Sequence, residues 1–183
     1  MSQTLQFIHA ACTAQARLAT PLGDMLLART ASGLAGAWFD GQQHHPGELA
    51  APQRADDPLL RDAMQQLTCY FAGESRPFKL PLDLHGTAFQ CRVWRALQDI
   101  AVGATLRYGD VASRIGAPTA SRAVGAAVGR NPLSVIVPCH RVLGAAGALT
   151  GYAGGLDRKV ALLQLERHRA PQPTRTQPIG AFA

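Results

Sequence analysis

The sequence predicts an α/β (α+β) fold in two domains, because its hydrophobic spacing changes halfway along the chain. Residues 15–39 alternate and turn like β structure, whereas the second half has mostly helical spacing. Residues 74–86 contain two prolines and no helical period, which is typical of an inter-domain linker. We therefore place the N-terminal domain with its linker at 1–86 and the C-terminal domain at 87–169. A Pro-rich tail, 170–183, is predicted to be disordered.

Composition and charge limit the class of protein. The 183 residues are 47% hydrophobic and 16% charged, which excludes a disordered polyelectrolyte. The formal net charge of +6 favours a polyanionic partner such as nucleic acid or an anionic membrane surface, although many proteins are mildly basic without such a role. No apolar run approaches membrane-spanning length and no signal-peptide pattern is present, so we expect a cytoplasmic protein that does not bind a membrane.

The four cysteines are widely spaced and include no Cys-x-x-Cys pair. This spacing is neither a disulfide framework nor a zinc-ribbon pattern, and free thiols suit a reducing compartment. We expect Cys12, Cys69 and Cys91 to be small hydrophobic core residues.

A β-hairpin and a third strand are predicted at the start of the N-terminal domain. The turn signal at 20–23 (TPLG) separates two arms, Ala16–Ala19 and Met25–Arg29. The third strand is Leu34–Phe39, and the composition of residues 40–56 is that of a loop.

One helix completes this domain. Asp57 is placed to cap its N-terminus, Pro58 takes the first helical position and Gly73 ends it. Its apolar residues recur at helical spacing: Leu60, Met64, Leu67 and Phe71.

Three helices are predicted to open the C-terminal domain. Thr87 and Gln90 form a capping-box pattern ahead of the first helix. The next two, Gly109–Ile115 and a segment from after Thr119 to about Arg130, are separated by a Gly-Ala-Pro break, which is the pattern of a helix-turn-helix. Two packed helices with no role in DNA binding give the same pattern, so this alternative stays open.

The rest of the domain is predicted as a short strand, a loop and a last helix. The β-branched run Ser134–Val137 ends at Pro138, the Gly-rich loop spans 144–155, and the helix covers about 156–169.

The segment Pro138-Cys139-His140-Arg141-Val142 is the most informative part of the sequence. A cysteine that follows an apolar strand and a proline is presented at a strand end, where a site is more common than core packing. The thiolate is the nucleophilic form of cysteine, and an adjacent imidazole and guanidinium favour it. We therefore predict that Cys139 is a nucleophile, whereas an isolated cysteine is usually a buried hydrophobic residue.

His140 is the candidate base beside Cys139. Neighbouring strand residues point to opposite faces, so a water molecule between the two side chains is a reasonable arrangement. A carboxylate that orients His140 would complete a relay, and Glu166 is the best candidate; a solvated surface charge is the alternative.

The segment from Ser121 to Gly129 contains only small or apolar side chains apart from Arg122. A helix of this kind approaches its partner closely, which suits the minor groove of DNA with one inserted arginine. A tight helix–helix contact explains the same composition, and that alternative stays open. Asn131 follows this helix, where its side chain can brace the cysteine loop.

These motifs, in this order, closely resemble the O6-alkylguanine-DNA alkyltransferases, also called methylated-DNA–protein-cysteine methyltransferases. The resemblance covers about residues 15–169 and rests on the following segments: 20–23 with Gly33-Leu34, Phe89-Gln90 with Val93-Trp94, Tyr108-Gly109, 122–125, Asn131-Pro132, 138–142 and 151–155. It implies an N-terminal RNase H-like domain and a C-terminal domain with a winged-helix-like helix-turn-helix.

The resemblance also implies a role for each matching residue. Cys139 is the acceptor of the alkyl group, His140 and Glu166 activate it through a water molecule, and Asn131 supports its turn. Tyr108 helps to flip the nucleotide and donates a hydrogen bond to the leaving guanine. Arg122 fills the gap in the duplex. The implied DNA-binding helix adds Ala123, Gly125, Ala126 and Ala127, and the implied base pocket is formed by Val142, Tyr152, Ala153 and Gly154.

The implied activity is DNA repair that each molecule performs once, because the thioether product is not hydrolysed. The implied partner is double-stranded DNA that contains O6-alkylguanine; the protein would act as a monomer, without cofactor or metal. Repair of O4-alkylthymine and cooperative binding along DNA stay open. Arg107 and Ser121 depart from the family pattern, which has a small hydroxyl residue and an apolar residue there.

Two other functions fit parts of the sequence. One is a module that binds alkyl lesions without repairing them, although such relatives replace the nucleophile and this chain retains Cys139. The other is a Cys–His thiol hydrolase with no role in DNA, whose activity would not depend on Arg122.

Overall fold

The computed structural model describes residues 3–74 and 76–167, so the predicted tail lies outside the described residues. Its helices are α1 (Gln3–Ala11), α2 (Pro58–Phe71), α3 (Ala88–Gln98), α4 (Tyr108–Arg114), α5 (Ser121–Gly129) and α6 (Leu156–Arg167). Its strands are β1 (Ala14–Leu18), β2 (Met25–Arg29), β3 (Leu34–Phe39), β4 (Leu106–Arg107) and β5 (Val142–Leu143). The mixed α/β fold that the sequence predicts is confirmed.

The N-terminal half is built on an antiparallel sheet in the order β1-β2-β3. Side chains alternate between its two faces, and both faces are covered, since Leu27 packs in the cluster that contains Leu60 of α2 while Leu26 packs in the cluster that contains Ile8 of α1. β2 and β3 have the predicted bounds, and β1 begins two residues earlier than predicted. Helix α1, which was not predicted from the sequence, covers one face of the sheet.

Helices α2 and α3 begin where their capping residues predict. The Asp57 carboxylate accepts hydrogen bonds from the backbone N–H groups of Leu59 and Leu60, at 3.0 and 3.1 Å. Thr87 and Gln90 form the predicted reciprocal capping box, with hydrogen bonds of 2.9 and 3.2 Å. Each cap satisfies N–H groups that the helix itself leaves without an acceptor.

The helix-turn-helix is formed by α4 and α5, close to its predicted bounds, and α3 packs against it. Trp94 of α3 is fully buried, and its Nε1–H donates a hydrogen bond of 2.8 Å to the carbonyl of Ala127 in α5. This contact fixes one face of α5 against the core and leaves the opposite face outside.

The segment before the cysteine is not the predicted strand. The backbone of Val135 has a φ of 72°, and the N–H groups of Ile136 and Val137 donate to carbonyls within the same segment, those of Ser134 and Leu133. Its only ladder contact is an isolated bridge between Leu133 and Ala37 of β3. The β-branched residues here are selected for burial in a compact turn, so the strand prediction was wrong.

None of the helices in the described part of the chain is long and apolar enough to cross a membrane.

The sheet contains a close contact that can be tested. A Cβ atom added to Gly36 in β3 would lie 1.7 Å from the indole ring of Trp38, which is only 1% exposed. We expect Gly36→Ala to lower the free energy of unfolding by about 1–3 kcal/mol in urea denaturation, as overpacking does. Gly129→Ala is the control, since its added Cβ would meet no atom within 4 Å beyond its chain neighbours and the backbone of its own helix. Equal free energies of unfolding for Gly36→Ala and Gly129→Ala would contradict the packing described for β3.

Candidate active site

Cys139 lies at the start of a 3-10 turn, Cys139–Arg141, and is only 2% exposed. The side-chain nitrogen of Asn131 lies 3.0 Å from its Sγ atom. The same Nδ2 is within hydrogen-bond distance of the carbonyls of Val137 and Leu133, and the Oδ1 atom of Asn131 accepts from the N–H of Leu133. Asn131 therefore braces the turn that presents the thiol, as its position in the sequence suggested.

Burial decides the protonation state of the thiol. Loss of contact with water raises the pKa of Cys139 to about 11, and the hydrogen bond from Asn131 and the charge of Lys159 only partly oppose this. The resting thiol is therefore protonated at neutral pH, and a group beside it must accept the proton before the sulfur becomes a strong nucleophile.

Glu166 of α6 is the centre of a buried polar network. Its carboxylate accepts hydrogen bonds from His140 Nε2 at 2.9 Å, from Arg141 at 2.8 and 2.9 Å and from the hydroxyl of Tyr70 at 2.8 Å. Burial alone would raise the pKa of Glu166, but the hydrogen bonds from His140 and Arg141, together with the charge of Arg141, outweigh it and hold the pKa well below its usual range. Glu166 is therefore an ionised carboxylate inside the protein.

The contact with Glu166 selects the tautomer of His140. An ionised carboxylate accepts but does not donate, so Nε2 carries the proton, and in a neutral ring Nδ1 is then an acceptor. Burial lowers the pKa of His140, although Glu166 opposes the shift, which favours this neutral ring. The buried Nδ1 atom has no hydrogen-bond partner among the described residues. His140 thus offers a proton acceptor on the same short turn as Cys139.

Arg141 does not have the role predicted from the sequence, which was to favour the thiolate of Cys139. Its guanidinium forms a two-pronged contact with Glu166 and donates to the carbonyl of Ile100, so its charge is directed to the carboxylate and not to the thiol.

Sequence reasoning missed Lys159, which supplies the positive charge near the thiol. Its ammonium group is buried and donates to the carbonyls of Val142 and Thr150, at 2.6 and 2.7 Å. Burial lowers the pKa of Lys159, and the nearby Cys139 opposes the shift. Lys159 shares one face of α6 with Leu162 and Glu166, and this three- and four-residue spacing was the available signal.

Val142 follows the cysteine turn directly, and Lys159 connects it to the loop 150–155 by hydrogen bonds to the carbonyls of Val142 and Thr150. Tyr152 is buried, with its ring edge towards His140 at a centroid distance of 6.5 Å. The hydroxyl of Tyr108 lies 3.3 and 3.2 Å from the carbonyls of Thr150 and Gly151. Burial and the nearby Cys139 raise the pKa of Tyr108, so its hydroxyl remains a donor at neutral pH.

The outer face of α5 is exposed and consists of small residues around one arginine. Arg122, Ala123 and Ala126 are exposed, and Arg122 forms no ion pair within residues 3–74 and 76–167. Gly125 faces the ring of Tyr108, which a Cβ atom there would meet at 3.8 Å. Ala127 is different: it is 2% exposed and faces α3, so we remove it from the predicted DNA-binding residues.

The other three cysteines are less buried than Cys139. Cys12, Cys69 and Cys91 are half-buried, so they are less enclosed than we expected of core residues. No cluster of three or more His, Cys, Asp or Glu side chains in the described residues is arranged to hold a metal ion.

Two family models match most of the chain. The model of the 6-O-methylguanine DNA methyltransferase DNA-binding domain matches residues 88–168, and the model of its ribonuclease-like domain matches residues 15–84.

Named relatives agree with these models. The methylated-DNA–protein-cysteine methyltransferase of Mycobacterium tuberculosis H37Rv is 49% identical over 152 residues, which cover 83% of this chain and 91% of the relative. The constitutive enzyme of Bacillus subtilis is 42% identical over 155 residues, covering 81% and 92%.

Solved structures resemble this one closely. The crystal structure of the M. tuberculosis O6-methylguanine methyltransferase superposes with a TM-score of 0.78 at 47% identity, covering 87% of this chain and 96% of that chain. A crystal structure of M. tuberculosis OGT in complex with DNA gives 0.77 at 48% identity with the same coverage.

The buried carboxylate gives a prediction about stability and pH. Glu166→Gln leaves Arg141 without its counter-charge, so we expect a loss of about 3–5 kcal/mol in unfolding free energy at neutral pH. Because the folded-state pKa of Glu166 is depressed, its stabilisation is complete above the unfolded-state value of about 4.3 and is lost as the pH falls further. The gap between wild type and variant should therefore narrow below about pH 4, as measured by denaturant titrations across pH.

Asp56→Asn is the control, since its ion pair with Arg54 is exposed and should matter little. A stability gap that did not change with pH would contradict an ionised Glu166.

Proposed function

Because the chain belongs to the O6-alkylguanine-DNA alkyltransferase family, whose members repair DNA by transferring an alkyl group to one of their own cysteines, we propose that Cys139 is the acceptor and that the substrate is O6-alkylguanine in duplex DNA. The observation that carries the assignment is the buried thiol of Cys139. It is held at 3.0 Å by Asn131 and lies on the same turn as His140, whose free nitrogen is a proton acceptor.

The proton of the thiol passes to His140. Because Nε2 is engaged by Glu166, Nδ1 accepts the proton through one bridging water, and the carboxylate stabilises the imidazolium that forms. Since the thiol has a raised pKa, this transfer must accompany or precede attack. Arg141 keeps the carboxylate of Glu166 ionised throughout.

The alkyl group then moves from oxygen to sulfur. The thiolate of Cys139 attacks the alkyl carbon, the S–C bond forms and the C–O6 bond breaks, and the electron pair leaves with guanine. The hydroxyl of Tyr108 donates a hydrogen bond to this anion, which takes up one proton to restore guanine. The imidazolium of His140 gives up the proton of the thiol and becomes neutral again, so the protons balance. No electron is gained or lost and no second group carrier is needed, so the reaction requires no cofactor. The thioether has no thiolate, so each molecule reacts once.

A stacked base cannot reach this thiol. Cys139 is 2% exposed, so the alkylated nucleotide must leave the duplex and enter the space next to Val142, Tyr152, Ala153 and Gly154. Extrusion costs a few kcal/mol and costs least for a damaged, poorly paired base, which favours the lesion over intact guanine.

The exposed face of α5 is the proposed DNA contact. Side chains as small as Ala123 and Ala126 allow the helix to lie close to the floor of a minor groove, and Arg122 is the only long side chain among them. We assign Arg122 to the gap that the extruded nucleotide leaves, where its charge and planar group replace the lost stacking. The protein acts as a monomer in this scheme, because all assigned groups belong to one chain.

The first test is mass spectrometry of the protein after it reacts with a duplex oligonucleotide that carries one O6-methylguanine. We expect one methyl group per molecule, located on the peptide that contains Cys139, with guanine restored. Cys139→Ser should retain lesion binding and gain no methyl group, whereas Cys69→Ser should react like the wild type. Binding without methylation of the wild type would favour a lesion-sensing module. Neither binding nor transfer would favour a thiol hydrolase.

The role of Arg122 has its own test. Arg122→Ala should slow transfer from duplex DNA by about tenfold or more, because extrusion of a base costs a few kcal/mol and loses its support. Transfer from a free O6-alkylguanine base, which needs no extrusion, should be unchanged. Arg61→Ala, on the exposed side of α2, is the charge-matched control. Equal losses with both substrates would refute the assignment of Arg122.

A further inference from the structure

The loop 150–155, which would line the proposed base pocket, has little regular secondary structure. Every carbonyl from Thr150 to Gly154 nevertheless accepts a hydrogen bond. The carbonyl of Thr150 accepts from Lys159 and from the hydroxyl of Tyr108, and the carbonyl of Gly151 accepts from the same hydroxyl. The carbonyl of Tyr152 accepts from Gly155 within the loop. The carbonyls of Ala153 and Gly154 accept from Gln43 and Arg158, and these two partners connect the loop to the N-terminal sheet.

Arg158 is the residue that makes this connection. Its Nη1 donates to the carbonyl of Gly154 at 3.0 Å, while Nε donates to Leu22 at 2.8 Å and Nη2 to Asp40 at 3.4 Å. Its guanidinium lies over the ring of Phe39 at 4.7 Å. One planar group therefore joins the pocket loop, the hairpin turn after β1 and the end of β3. A lysine cannot form this set of contacts, because its single ammonium lacks the rigid fork of donors.

Two neighbouring features support the same connection. The N–H of Gln43, just beyond β3, donates to the carbonyl of Ala153 at 2.9 Å. Gly23 has a φ of 105°, and a Cβ atom there would lie 3.0 Å from Nη2 of Arg158. The glycine of the hairpin turn thus leaves room for the guanidinium, a role that the sequence pattern did not reveal.

The same strand also holds the segment that leads to the nucleophile. The N–H of Ala37 in β3 donates to the carbonyl of Pro132 at 2.9 Å, and the N–H of Ser134 donates to the carbonyl of Ala37 at 2.8 Å. β3 is thus bound at its middle to the cysteine segment and at its end, through Arg158, to the pocket loop. The sheet is the common support for the two sides of the pocket.

We propose that Arg158 is a positioning residue through which the N-terminal sheet sets the distance between the Cys139 thiol and the flipped base. The inference rests on the proposed function and extends it, since it gives the N-terminal domain a part in the reaction without contact to DNA or substrate. Errors of about 1 Å in the placement of a reacting group cost up to about a hundredfold in rate, so a loosened pocket wall has a measurable effect.

The test is single-turnover kinetics of Arg158→Ala and Arg158→Lys with duplex DNA that carries one O6-methylguanine, over a range of protein concentrations and pH. For both variants we expect the rate at saturating protein to fall about tenfold. The half-saturating concentration should stay within about twofold, because the DNA-binding face is untouched. The midpoint of the pH–rate profile should not move, because the relay from Cys139 to Glu166 is unchanged. Arg61→Ala is the control for loss of one positive charge.

The outcomes separate this inference from the proposed function. Wild-type kinetics for Arg158→Lys, or a loss that appears only as a smaller reactive fraction of protein, would overturn the positioning role. Arg158→Lys decides the matter if the alanine variant does not fold. A wild-type protein that gains no methyl group would instead refute the proposed function, on which the inference depends.

Discussion

The ion cluster at Glu166 is the interaction on which both the fold and the chemistry of this protein depend. A carboxylate without solvent contact is tolerated only where charged partners and hydrogen-bond donors replace water. Here the donors come from distant parts of the chain, with Tyr70 in α2, Gly103 before β4, and His140 and Arg141 in the cysteine turn. The cluster therefore joins the two halves of the molecule, and the same contacts fix the tautomer of His140.

The short helix α5 packs into the core with one face and leaves the other face exposed. Val124 and Val128 belong to the core, and the carbonyl of Ala127 anchors the helix to Trp94. On the other side, small residues around Arg122 form a nearly smooth surface. The packing of its buried face fixes the backbone of α5. The exposed face therefore needs no long side chains to hold the helix in position.

Local signals in the sequence were sufficient for the elements that local interactions create. The caps at Asp57 and Thr87, the strand β3 and the two helices of the helix-turn-helix were all predicted close to their bounds. The strand predicted at 134–137 was wrong, because side-chain hydrogen bonds from nearby Asn131 and long-range backbone hydrogen bonds with Ala37 of β3 hold that segment as a turn. The helix α1 and the role of Arg158 were missed for a related reason, because Ile8 packs against β2 and β3 and Arg158 donates to Leu22 and Asp40, which are distant in sequence. Lys159 was missed although its spacing from Leu162 and Glu166 places it on the buried face of α6.

The enclosure of Cys139 has a second effect, on how long an unused molecule lasts. Dissolved peroxides and disulfides react with exposed thiolates, and oxidation of the sulfur would block the acceptor role proposed for Cys139. A thiol that is 2% exposed, with a pKa of about 11, is a poor target for them. The thiol is therefore expected to react slowly with small reagents that do not fill the pocket. Under the proposed function, the same burial gives both resistance to oxidation before use and selectivity for the lesion.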